Sequence, residues 1–219
     1  MNSFRMVTTK KLGQILVLLF ILVGLPAVSF IYLRNGADYR RDAIATMGDY
    51  GTMPDLSTLP AIRGTLPPTL RGTMTVVGWL DPTKEEGTVL YGRMLDSLYT
   101  QFKDSPNLYF TTVVLAQEPE RAVAAFADTY NLPPDDMLSF LRADEREFKA
   151  LAEDFRLPLG AYDSPGIQPV VALVDSSLTI VQHYDLARRD ETMGLVQLIS
   201  LIIPLPDKQD IILDRGKEL

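Results

Sequence analysis

The stretch "VVGWLDPTKEEGTVLYGRM", Val76 to Met94, is where the fold of this chain is decided. Its first part closes "TMTVVGWL", a β-branched run bounded by Gly72 and by Asp81-Pro82, which predicts a short buried strand. The polar residues 81–87 follow as a loop. Tyr91, Met94, Leu95, Leu98 and Phe102 then recur at intervals of three and four, the spacing of one apolar face of a helix.

The same alternation continues downstream. "LYFTTVVL" (Leu108 to Leu115) reads as a second strand, and Val123, Phe126, Ala127 and Tyr130 keep helical spacing up to Pro133-Pro134. A brief apolar "MLSFL" precedes Asp144 and Glu147, whose spacing is that of a capping box, opening a helix that buries Phe148, Leu151, Ala152 and Phe155. "PVVALVD" and "LTIVQHY", separated by Ser176-Ser177, read as a hairpin, and Leu195, Leu198, Ile199 and Ile202 as a last amphipathic helix. Strands joined by crossover helices imply a sheet with parallel members and helices on both faces. With an antiparallel hairpin appended, the expected fold is α/β: a thioredoxin-like central mixed sheet flanked by helices, over residues 73–203.

Upstream, Leu12 to Leu33 carries no charge and matches the ~20 residues that cross a hydrocarbon core as a helix. The run exceeds the ~7–15 apolar residues of a signal peptide and is closed by no clear small-x-small site, so it is read as an uncleaved anchor. Gly24 and Pro26 predict a kink, and Tyr32 suits the membrane interface. Arg5, Lys10 and Lys11 precede the span, while Arg34, Arg40 and Arg41 follow it. That basic count is nearly balanced. The short leading tail, 1–11, is expected in the cytoplasm, which places the remainder in the periplasm or exterior. Residues 34–72, with Pro54, Pro60, Pro67 and Pro68, read as a connector with short extended pieces rather than long helices, and 204–219 as a polar tail.

Composition removes many functions. The 219-residue chain has no cysteine, hence no disulfide, no thiolate nucleophile and no cysteine metal site. Residues 1–33 hold +3, leaving −10 on the remainder of a chain whose formal net charge is −7, and an acidic body of this kind repels nucleic acid. Glycine-rich phosphate loops, zinc spacings and nucleotide fingerprints are absent.

Several segments together resemble the Sco/SenC family of copper chaperones and cytochrome oxidase assembly factors. "VVGWLDPTKEEG" is similar to that family's strand and active loop, "VVLAQEPERAVAAFADTYNL" to its strand ending in Asp-Pro-Glu-Arg-Asp and the helix after it, and "FLRADEREFKALAEDFRLPLG" to a later turn and helix. "YGTMPDL" looks like the segment that introduces the fold. The likeness spans roughly residues 50–203 and implies a respiratory setting, with oxidase or oxidase-assembly proteins as partners. The family's functional residues do not carry over. Its two cysteines fall at Pro82 and Glu86, its neighbouring histidine at Asp81, and its distal ligand histidine in "DSPGIQP", which has none. Copper thiolate chemistry and thiol–disulfide exchange therefore lose their atoms. No cofactor and no catalytic or metal residue is expected, and the chain is read as a divergent, cysteine-less member with a pseudo-active site.

What remains is a protein-binding surface: Trp79, Asp81, Pro82, Glu86, Gln168 and Pro169, with Pro169 at a position where this fold often carries a cis proline. Trp79 is also expected as core. The alternative is a metal carrier or enzyme using oxygen and imidazole ligands from Asp81, Glu86 and His183, the sole histidine. Strand alternation places His183 with Val181, opposite Ile180 and Gln182, and the acidic residues of 81–87 also suit a helix start. Met47 and Met53 are soft donors but too few for a copper site. A third reading is a purely structural membrane subunit.

Overall fold

In the computed structural model the described residues are 9–45, 47–157 and 169–203. They fall into two compact units that divide between Thr46 and Met47. The first is helical: α1 (Thr9–Leu19), a π turn (Phe20–Gly24) and α2 (Leu25–Ala45). Leu16–Arg34 is long and apolar enough to cross a membrane, with a mean hydropathy of 2.6. At the π turn the Leu25 N–H reaches back to the Phe20 carbonyl. Pro26 lacks an N–H and its ring crowds the preceding turn, so a widened turn is the local solution. Residues 34–45, expected as extended connector, instead continue α2. Arg34 and Arg41 flank Asp38 at 3.9 and 3.6 Å along that helix, pairs that favour its continuation.

The second unit is built on one six-stranded sheet. Its strands are β1 (Ala61–Arg63), β2 (Met74–Leu80), β3 (Leu108–Val114), β4 (Leu138–Arg142), β5 (Val170–Val174) and β6 (Ile180–Asp185), in the order β1-β4-β3-β2-β5-β6. Strands β2, β3 and β4 run parallel, and β1, β5 and β6 add antiparallel pairs. The helices α3 (Glu85–Phe102), α4 (Pro119–Thr129), α5 (Glu145–Asp154) and α6 (Arg189–Ile202) occupy the predicted intervals. This is the thioredoxin-like α/β arrangement expected from the pattern.

β2 is buried along its whole length, and its alternate side chains feed two layers. Val77, Trp79, Val113, Leu141, Ala172, Val174 and Ile180 pack with Phe148, Leu151, Ala152 and Phe155 of α5 and its end. On the other face Tyr91 of α3 lies against Gly78 and donates to or accepts from the Thr112 hydroxyl at 2.6 Å. A Cβ at Gly78 would stand 2.3 Å from the Tyr91 ring, so only glycine lets the ring reach the sheet. α5 opens on the capping box read from the sequence: Glu147 N–H donates to the Asp144 side chain at 2.8 Å and Asp144 N–H to Glu147 at 2.9 Å. It closes on a Schellman turn, with Arg156 at φ 52° and the Leu157 N–H on the Ala152 carbonyl.

One expectation fails within β6. Val174 pairs with Ile180 and Leu173 with Gln182, so Val181 is an extra residue, a β-bulge. Past the bulge the alternation is reset. His183 pairs with Ala172 and shares the α5 face with Ile180, not the opposite one.

Candidate functional site

The parallel strands deliver the loops after β2, β3 and β4 to one edge of the sheet, and the antiparallel β5 enters at that same edge. Gly78 pairs with Val171, and the register continued outward sets Leu80 opposite Pro169. The loop 81–84 therefore sits beside the entry to β5.

Loop 81–84 is organised by Asp81. Its carboxylate accepts from the Thr83 N–H at 3.0 Å and the Thr83 hydroxyl at 2.6 Å, and its carbonyl accepts from the Lys84 N–H at 2.9 Å and the Thr88 hydroxyl at 3.1 Å. These bonds make a tight turn that hands the chain to α3. Asp81 is half-buried, while Pro82, Thr83, Glu85 and Glu86 are exposed. Lys84 stands at the N-cap and offers no side-chain cap, so α3 relies on Glu85 and Glu86 in its first turn to answer the positive end of its dipole.

Trp79 belongs to the core and does not join the exposed surface. It is 5% exposed and meets the Phe155 ring edge-on at 5.1 Å. Its indole N–H has no hydrogen-bond partner. Pro169 is likewise buried, its carbonyl accepting from the Leu186 N–H at 2.9 Å. Gln168, and with it the geometry of the Gln168–Pro169 bond, lies outside the described residues, as does "DSPGIQ". The surface offered by the described residues is thus Asp81, Pro82, Thr83, Glu85 and Glu86.

The set Asp81, Glu86 and His183 does not converge. His183 is level with Ala172 and Val77, roughly 13 Å along the strands and ~10 Å across two strand spacings from Asp81. Its Nε2 lies 2.7 Å from the Phe155 carbonyl, and its ring meets Tyr50 edge-on at 4.6 Å. No group of three or more possible metal ligands from His, Cys, Asp and Glu occurs among the described residues. The bulge at Val181 decides which face His183 occupies, and no local signal in "LTIVQHY" announces it. Burial pushes the His183 imidazole below its ordinary value, with the Phe155 carbonyl partly opposing, so the ring is neutral at neutral pH.

Loop, helix start and neighbouring β5 form a strand–loop–helix junction whose exposed residues are a proline, a threonine and two carboxylates. Solved structures share this architecture. One, assigned as a protein disulfide isomerase from Bacteroides thetaiotaomicron, matches 71% of this chain and 90% of its own at a TM-score of 0.52 and 17% identity. Another is BsSco, a member of the Sco family of cytochrome c oxidase assembly proteins, which matches over 70% of this chain and 95% of its own at a TM-score of 0.50 and 13% identity. At such identities the likeness is one of fold. No family model and no curated protein matches the sequence.

Proposed function

We propose that this chain is a membrane-anchored, Sco/SenC-like thioredoxin-fold protein that binds other proteins through the 81–87 loop and does no redox or copper chemistry of its own. The chain divides into a tail (1–11), an anchor (12–33), a connector (34–72) that begins as the continuation of α2 and lends β1 to the sheet, the domain (73–203) and a C-terminal tail (204–219). The N-terminus lies in the cytoplasm and the domain faces the periplasm or exterior. Its setting is the assembly or support of a respiratory complex, with oxidase or oxidase-assembly proteins as partners.

The observation that supports this most is the state of the junction. The turn is fully built, by four hydrogen bonds on Asp81, in a chain with no cysteine to use it. A turn held in one shape, exposing Pro82, Thr83 and two carboxylates, is suited to recognition, because little conformational freedom is left to lose on binding. The distance separating His183 from Asp81 gives the metal-carrier reading no comparable support.

The test is capture of the detergent-solubilised full-length protein from its native membrane, with metal content measured on the same sample. Recovery of respiratory subunits, weakened by Pro82 and Glu86 substitutions together, is the expected result. Stoichiometric metal without partners would overturn the reading.

A further inference from the structure

Residues 48–53 lie as a strap along the outer side of β6 and the turn before it. Gly48 and Tyr50 donate N–H groups to the Val181 and Ile180 carbonyls at 2.9 Å, and Ile180 returns one to Gly51 at 2.9 Å. Met53 donates to Leu178 at 2.8 Å, and Thr52 bridges Thr179. The strap follows directly in the chain on the helical unit, which ends at Thr46. Whatever releases it therefore lengthens the tether of the sheet domain.

His183 stands where the strap, β6 and the end of α5 meet. A carbonyl can only accept, so the 2.7 Å contact with Phe155 requires that Nε2 carry the ring's proton and leaves Nδ1 with its lone pair. The Tyr50 ring lies edge-on against the imidazole, and β5 contributes only Ala172 opposite it. The charged groups on the surrounding elements are Asp49 on the strap, Glu153, Asp154 and Arg156 at the end of α5, all exposed, and Asp185 on β6. Asp49 accepts from the Gly51 N–H at 3.0 Å and Asp185 from the Ala187 N–H at 2.9 Å, so these two carboxylates are already engaged. The Arg156 guanidinium is exposed and lies beside Gly51, 3.7 Å from where a Cβ there would stand.

A second proton, on Nδ1, thus creates a cation that is half-buried, held at one nitrogen, and flanked by an aromatic ring and a methyl group. Water is the better solvent for it.

We propose that His183 is an acid-released latch on the strap: protonation draws the ring out of its seat, Tyr50 loses its edge-on partner, and residues 48–53 lift from β6. Fully extended, that segment adds roughly 20 Å to the reach of the domain, at ~3.3–3.6 Å per residue. The lowered affinity of the buried ring for a proton makes the docked state the resting one at neutral pH and puts release on the acid side of 6.5.

Because the chain has one histidine, a single labelled imidazole reports the titration without ambiguity. The full-length protein in detergent micelles is followed by NMR of that ring and by hydrogen exchange of peptides covering 47–53, from about pH 7.5 to about pH 5. The expected result is an imidazole midpoint below 6.5 and a fall of roughly ten-fold or more in strap protection with the same midpoint, after correction for intrinsic exchange, while β3 keeps its protection. His183→Phe keeps a ring against Tyr50 and removes the titration, so its strap protection is expected to be flat with pH. A midpoint at or above 6.5, strap protection indifferent to pH in the natural protein, or a pH dependence that survives His183→Phe would each overturn the latch. Should that variant not fold, comparison of the two midpoints in the natural protein decides alone.

Discussion

Helices α3 and α5 pack on opposite faces of the same sheet and begin at the same edge, yet they begin in different ways. α5 starts on a closed capping box, Asp144 and Glu147 bonding each other's backbone. α3 starts behind Lys84, with no side-chain cap, after a turn that spends its hydrogen bonds on itself. The first start is built for stability. The second has no side-chain cap and leaves Pro82, Thr83, Glu85 and Glu86 toward solvent. The contrast separates the part of the sequence that holds the fold from the part available to a partner.

The contrast can be broken or sharpened by substitution. The largest effect is expected at Phe155, fully buried where α5 ends against Trp79: Phe155→Ala should cost about 3–5 kcal/mol in denaturant unfolding, and a loss under about 1 would mean that α5 is not a principal support of the core. Asp144→Ala, which leaves the Glu147 N–H without its acceptor while the backbone N–H of residue 144 keeps its bond to Glu147, should cost about 1 kcal/mol. The equivalent experiment on α3 runs the other way. Lys84→Ser supplies a cap where none exists and should stabilise by up to about 0.5 kcal/mol while weakening partner capture; improved capture would show that the open helix start is not part of the binding surface.

Glu86→Ala should change stability within about 0.5 kcal/mol, so any loss of capture reads out recognition and not folding. The smallest effect belongs to pH. A histidine whose folded affinity for protons is lowered leaves stability intact above its ordinary value of 6.5, because both states are then neutral. Below that, the unfolded chain binds the proton first, and stability falls until the folded imidazole is also protonated. Unfolding midpoints measured across that window should decline toward acid in the natural protein and lose that component in His183→Phe.

Much of the fold was legible because its signals are local. The β-branched runs at 73–80 and 108–115, the three-and-four spacing in α3 and α5, and Asp144 with Glu147 each declare a strand, a helix face or a cap within one or two turns of chain. The candidate loop was legible for the same reason, as a polar interruption between a buried strand and a helix. Its membership was not. Pro169 is expected at the surface and is buried, and Trp79, which the sequence offers both as core and as surface, lies in the core, because burial at the end of a strand depends on which distant element covers it, here α5 and the chain around Leu186.

The sequence by itself determined the order of strands and helices, the apolar N-terminal segment, and the absence of sulfur chemistry, since composition and short-range periodicity need no partner to be read. The structure adds the continuation of α2 to Ala45, which the local Arg34–Asp38–Arg41 pairs favour, and tertiary contacts alone decided the seat of His183 and the docking of the strap. The last two rest on one extra residue, Val181, in a pairing between strands and on contacts among segments more than a hundred residues apart; a bulge reverses which face a side chain meets without altering the local pattern that precedes it.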